Sequence, residues 1–403
     1  MRLHRNLVFA VIDTLDSIFN KEAYADKEIS KTLKRDERWG SRDRSFIAET
    51  TYDIVRWKRL YSEIADINKH YSRTNLFRLF TVWATLRGIE IPAWKQFEDT
   101  PTRKIKGKFD ELSKIRKYRE SIPDWLDELG EEQLGSDVWE KELAALNQQA
   151  PVILRVNTLQ TNKAKLQLEL EKEGIDTLFI DGFPDALQLS NRANVFATKC
   201  FEKGWFEVQD ASSQKVSKYL SPKAGMRVVD TCAGAGGKTL HLSAITENKG
   251  QLIALDIFPQ KLKELKRRAK RAGAHNIETR LIDSTKVIKK LHESADAVLI
   301  DAPCTGLGVL RRNPDAKWKL KPSFIEEITS KQQDLLRDYS KIVKKGGTLV
   351  YATCSILPIE NEKQIEAFLA SEDGADFQLA KEEKVLVNET GHDGFYMAKL
   401  LKK

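Results

Sequence analysis

The chain has 403 residues, of which 41% are hydrophobic and 31% charged. That composition excludes disorder as the main state and leaves room for two or three domains. Sixty-seven Lys and Arg against 59 Asp and Glu give a net charge of +8, which suits a polyanionic partner without requiring one. Cys200, Cys232, Cys304 and Cys354 form no CxxC pair, and the six histidines form no HExxH, so neither a disulfide scaffold nor a metal is expected.

In chain order, the N-terminal apolar stretch is interrupted by Asp13 and Asp16. It reads as an amphipathic helix and not a signal peptide. No run of about 18 uncharged apolar residues follows anywhere, so no membrane contact and a cytoplasmic location are expected. Residues 1–145 read as an all-helical domain. Leu7, Val8, Val11, Ile12, Leu15, Ile18 and Phe19 share one helical face, and Gly88, Pro92, Pro101, Gly107 and Pro123 punctuate the rest. Lys31, Lys34, Arg35, Arg38, Arg42 and Arg44 are either a solvated surface or contacts to RNA phosphates. Residues 146–215 read as a small α+β linking module. Its extended segments are PVILRVNTL, TLFI, ALQL and GWFEVQD, with one helix ending at Gly174.

From 216 to 403 the apolar runs MRVVD, QLIALD, ETRLID, AVLID and GTLVYAT alternate with helical stretches. This is the texture of a parallel sheet with helices on both faces, whose ligand sits beyond the carboxyl ends of the strands. After the first run comes TCAGAGGKT, a glycine-rich turn through Gly234, Gly236 and Gly237. A P-loop would need glycine where Cys232 stands, and a dinucleotide fingerprint would need it where Thr239 stands. S-adenosylmethionine carries no phosphate and fits what remains. Asp256 closes the second run and can accept ribose hydroxyls; Asp283 closes the third and can accept from an adenine amino group. The fourth run ends in Asp301-Ala302-Pro303-Cys304 and the fifth in Thr353-Cys354-Ser355. Two thiols at neighbouring strand ends have a specific use. C5 of cytosine is a poor nucleophile until a thiolate adds to C6, and Asp301 can stabilise the adduct through N3.

CAGAGGK, LIALD, DAPCTGLGVLRRNPD and YATCSILPIENE, in this order, resemble the Sun-type family of RNA cytosine-5 methyltransferases and its RsmB-type branch acting on 16S ribosomal RNA. PVILRVNTL and VQDASSQ resemble the family's linking module and the entry to its catalytic domain, and DGFYMAKL its terminal strand; with the helical N-terminal part the resemblance covers essentially the whole chain. It implies a NusB-like RNA-binding fold for 1–145, a Rossmann-like class I methyltransferase domain for 216–403, S-adenosylmethionine as cofactor and small-subunit ribosomal RNA as substrate. It also implies Cys354 as nucleophile, Cys304 as the thiol assisting release, and Lys238 near the reacting centre. Cys232, Ala233, Gly234, Ala235, Gly236, Gly237 and Lys238 match the cofactor loop, with Asp256, Asp283 and Asp301 as further cofactor positions. The family loop commonly has proline where Ala235 stands, so a slightly looser loop is expected. Asp210 either lines the cofactor's methionine end or caps a helix. Arg311 and Arg312 are expected on phosphates beside the flipped base, and the Lys/Arg run from Lys261 to Arg271 reads as a solvated face. A monomer is expected. The competing readings are the same chemistry on transfer RNA, a small-molecule methyltransferase, and a non-catalytic ribosome-assembly factor.

Overall fold

The structure is a computed structural model and describes residues 3–68, 70–98, 100 and 102–403; Pro101, one of the expected breakers, lies outside the described residues. These residues form two compact units, Met1–Gln148 with Leu310–Pro322, and Gln149–Val309 with Ser323–Lys403.

The first unit is helical. Its opening helix, Arg5–Asn20, leaves Val8, Val11, Ile12 and Leu15 fully buried, which is the face the periodicity defines. Helix Ser41–Arg56 starts where the Asp43 carboxylate accepts from the Gly40 N–H, and helix Arg73–Leu86 starts where Ser72 Oγ accepts from Asn75 N. Each cap satisfies a donor that the first helical turn leaves open. Leu310–Pro322, inside the span expected as 216–403, packs with these helices. Trp318 Nε1 donates to the Val55 carbonyl at 2.7 Å, Lys319 Nζ to the Ala23 carbonyl at 2.8 Å, and Asp315 accepts from Ala25 N at 3.1 Å. Nothing in the local pattern of GLGVLRRNPD signals this, because every one of these partners lies more than 200 residues away in the chain.

The second unit contains two sheets among the described residues. The smaller has strands β1 (Ile153–Val156), β2 (Thr177–Phe179), β3 (Ala186–Leu189) and β4 (Phe206–Val208), ordered β2-β3-β1-β4 and antiparallel throughout. Helix Lys163–Lys172 covers it with Leu166 and Leu170. The larger has β5 (Arg227–Asp230), β6 (Gln251–Asp256), β7 (Ile277–Leu281), β8 (Ala295–Asp301), β9 (Val343–Thr353), β10 (Phe377–Val385) and β11 (Phe395–Lys402), ordered β10-β11-β9-β8-β5-β6-β7. β9-β8-β5-β6-β7 is parallel, as the alternating runs require. The expectation of a purely parallel sheet is corrected at the other edge, where β11 and β10 add antiparallel. β10 escapes sequence detection because it is an edge strand. FQLAKEEKV has polar residues at most of its central positions, which keeps such an edge from pairing with other chains. Chain order reverses between β5 and β8, so the ligand crevice of this sheet opens at their carboxyl ends.

Candidate active site

The loop after β5 owes its path to glycine. Gly234 and Gly236 take φ of +55° and +88°, and a Cβ on Gly236 would come within 2.6 Å of Leu265 Cγ. Side chains from other elements then pin its carbonyls. Arg155, buried on β1, donates Nη1 to the Gly237 carbonyl and to Gln209 Oε1, both at 2.5 Å. Arg268 donates to the Ala235 carbonyl at 2.7 Å. Neither arginine is marked by a sequence motif; only the fold brings them to the loop.

Asp256, at the end of β6, accepts from Gly234 N and from Phe258 N, each at 2.8 Å, one on each carboxylate oxygen. Each oxygen keeps a lone pair for a further donor. Asp283 lies two residues past the end of β7, exposed, where it accepts from the Ser284 hydroxyl at 3.1 Å. Asp210 is the N-cap of helix Ala211–Leu220, accepting from Ser212 N at 2.9 Å, and it also accepts from Asp393 N at 3.1 Å.

At the ends of β8 and β9, Cys304 Sγ and Cys354 Sγ stand 3.4 Å apart. Hydrogen bonding to Cys354 and burial push the Cys304 thiol well above the usual range. Lys238 reaches Asp301 at 2.7 Å and lies over the Phe395 ring at 5.2 Å from its centre. Burial works against the Lys238 ammonium, but the Asp301 carboxylate outweighs it, and the pKa stands above that of an ordinary lysine. The other two cysteines are quiet. Burial pushes Cys232 up to about 12 and Cys200 up to about 11, which makes thiolate rare at neutral pH.

The two cysteine loops share an acid that motif reading does not single out. Glu360 is fully buried. It accepts from Thr305 N at 2.8 Å, Thr305 Oγ1 at 2.5 Å and Gln332 Nε2 at 3.1 Å, and also from Ser355 Oγ. Thr305 follows Cys304 and Ser355 follows Cys354, so one carboxylate fixes both. The backbone repeats the tie, since Gly308 N donates to the Cys354 carbonyl at 2.9 Å. A trace of the signal exists in YATCSILPIENE, where an acid follows a strand end by seven residues, but spacing alone does not say what it holds. Arg311 is buried, with its carbonyl accepting from Arg56 Nη2 at 2.8 Å, and Arg312 is half-buried. In the helical unit Arg44 is tied to the Trp39 and Leu33 carbonyls. Arg35 and Lys31 pair with Glu28, and Arg38 pairs with Asp36. Lys34 and Arg42 are exposed.

Comparison with known proteins matches residues 217–401 to the model described as 16S rRNA methyltransferase RsmB/F. Residues 122–196 match a Methyltr_RsmF/B-like, ferredoxin-like domain. The chain is 36% identical to the ribosomal RNA small subunit methyltransferase B of Proteus mirabilis over 66% of its own length and 63% of that relative. It is 31% identical to the "Probable ribosomal RNA small subunit methyltransferase B" of Bacillus subtilis over 85% of its own length and 76% of that one. The first curated relatives thus extend well beyond the matched part. Among solved structures, PH0851 superposes with a TM-score of 0.84 at 27% identity, covering 100% of both chains.

Proposed function

The chain belongs to the 16S rRNA methyltransferase RsmB/F family, and from that premise we propose that it transfers a methyl group from S-adenosylmethionine to C5 of a cytosine in RNA, small-subunit ribosomal RNA above other RNAs. The observation that carries this reading is the pair of thiols 3.4 Å apart at the ends of adjacent strands. A small-molecule methyltransferase has no use for two such cysteines, and neither has a passive RNA clamp.

The residues present suit that cofactor. The glycine turn admits close approach, Asp256 retains acceptor capacity for ribose hydroxyls, and the one lysine of the loop is committed to Asp301 instead of a phosphate. Asp256 with residues 232–238 would hold the cofactor, which when bound supplies an electrophilic methyl. Asp283 would act at its outer edge. The protein's own part begins with Cys354. Its thiolate adds to C6, forming an S–C bond and sending an electron pair to C5. As charge moves through the ring N3 becomes basic and takes a proton from water, and Asp301, held by Lys238, accepts from that N3–H. After methylation the C5 proton passes to water, its C–H electron pair reforms the C5–C6 double bond, and the S–C6 bond breaks with its pair going to the Cys354 sulfur. Cys304 donates its S–H to the departing sulfur, which makes Cys354 a better leaving group. In the same reading the helical unit is a NusB-like RNA-binding domain.

The test is bisulfite mapping of ribosomal and transfer RNA from a deletion strain complemented with wild type, Cys354→Ala or Cys304→Ala. Wild type restores one ribosomal mark, Cys354→Ala restores none, and Cys304→Ala accumulates a covalent protein–RNA complex. Full activity in Cys354→Ala would end the nucleophile assignment; a mark restored only in transfer RNA would end the substrate assignment.

A further inference from the structure

The net charge of the chain resides in one stretch. Residues 257–292 hold 11 Lys and Arg against three acids, a surplus equal to the +8 of the whole chain. The rest is balanced. Helix Pro259–Ala272 turns Leu262, Leu265, Ala269 and Ala272 into the core and leaves Lys261, Lys263, Lys266, Arg267 and Lys270 exposed. Around helix Thr285–Lys289, Ile288 is buried while Lys286, Lys289 and Lys290 are exposed. The first helix packs with Leu240 and Ala254, the second with Val298 and Leu336 in a different core cluster. The two helices therefore cover opposite faces of the sheet. Between them runs β7, its edge strand, so the cations wrap that edge.

A merely solvated helix intersperses its signs in pairs three and four residues apart. This one does not. Glu264, its one acid, pairs with Arg267 at 2.7 Å. Arg268 and Arg271 turn to Glu207 at 2.9 and 2.5 Å. Among the described residues no acid lies within ion-pair distance of Lys263, Lys266, Lys270, Lys286, Lys289 or Lys290. Lys266 and Lys270 stand one turn apart and repel each other. The ridge begins at Ile257 and Phe258, directly after Asp256, so a polyanion following it is led towards the strand ends that carry the site.

We propose that the basic ridge around the β7 edge is a docking surface for the sugar–phosphate backbone of RNA outside the target nucleotide. The inference rests on the RNA reading above, and the occupant follows from charge complementarity: a dense row of uncompensated, flexible ammonium groups matches a polyphosphate strand and carries no base readout.

The experiment measures binding of a 16S ribosomal RNA transcript at several salt concentrations, with methyl transfer followed in parallel. The variants are Lys263→Glu/Lys266→Glu/Lys270→Glu, Lys286→Glu/Lys289→Glu/Lys290→Glu, and the same sets changed to Arg. Each Glu set raises Kd at least about tenfold and lowers the salt slope by about 2, at ~0.7–0.9 for every phosphate no longer neutralised. It raises KM for RNA and leaves kcat unchanged, while the Arg sets behave as wild type. Unchanged Kd and slope in both Glu sets would overturn the proposal, as would a drop in affinity for an acidic protein but not for the transcript. Wild-type chain that binds the transcript through the ridge yet methylates no RNA would instead sink the functional reading and leave this one standing.

Discussion

Glu360→Ala tests whether one buried carboxylate organises both cysteine loops. The substitution removes the acceptor for Thr305 N, Thr305 Oγ1, Ser355 Oγ and Gln332 Nε2. A buried donor left without a partner costs about 1–3 kcal/mol. Against the sum of these stands the recovered cost of holding a carboxylate out of water, several kcal/mol, so the net loss is about 3–5 kcal/mol. In a unit of this size that lowers Tm by about 10 °C. The catalytic loss is separate. Freed from Glu360, the Thr305 and Ser355 backbones drift, and a displacement near 1 Å at Cys304 and Cys354 costs about 100-fold in rate. Differential scanning calorimetry reads the first effect and single-turnover methyl transfer at 15 °C, below the variant's Tm, reads the second. Glu360→Gln keeps the shape and one acceptor oxygen and falls between wild type and alanine in both. A Tm within about 2 °C of wild type, less than the shift for 1 kcal/mol, together with an unchanged rate for Glu360→Ala, would refute the assignment.

Other consequences follow from single groups. Burial pushes the Asp230 carboxyl up to about 7, so the folded chain binds this proton more tightly than the unfolded one. The resulting stabilisation is full below about pH 4 and lost as pH rises to 7. Between pH 5 and pH 7.5 wild type should lose about 2 kcal/mol of stability that Asp230→Asn does not lose, read from urea midpoints; parallel curves would show that Asp230 is ionised throughout. A Cβ on Gly308 would come within 2.2 Å of the Gly394 carbonyl oxygen and 2.9 Å of that of Cys354. Gly308→Ala should therefore shift the Cys354 backbone and slow methyl transfer by about 10- to 100-fold with unchanged S-adenosylmethionine affinity by calorimetric titration. An equal loss of both would place the damage in the cofactor loop instead.

Much of the chemistry is legible before any fold is drawn. The apolar runs ending in Asp256, Asp301 and Cys354, and the glycines at 234 and 236, are local features. A strand end, a left-handed backbone and a thiol each announce themselves within a few residues, because sterics and side-chain chemistry act at short range. That the two cysteines stand at adjacent strand ends follows from the alternating pattern and the rule for parallel sheets. Where the pattern is weak the sequence misleads: β10 hides behind its charged edge, and Asp283 overshoots the strand it is expected to close.

What remained for the tertiary structure is contact between residues distant in the chain. The sequence places Cys304 and Cys354 fifty residues apart; pairing of β8 with β9 brings their sulfurs to 3.4 Å. Arg155 on β1 bracing the cofactor loop, Glu360 tying two cysteine loops, and Leu310–Pro322 joining the helical unit are of the same kind. None leaves a periodic trace, because a buried polar group is satisfied by whichever partner the folded backbone carries past it, and sequence spacing does not encode that meeting.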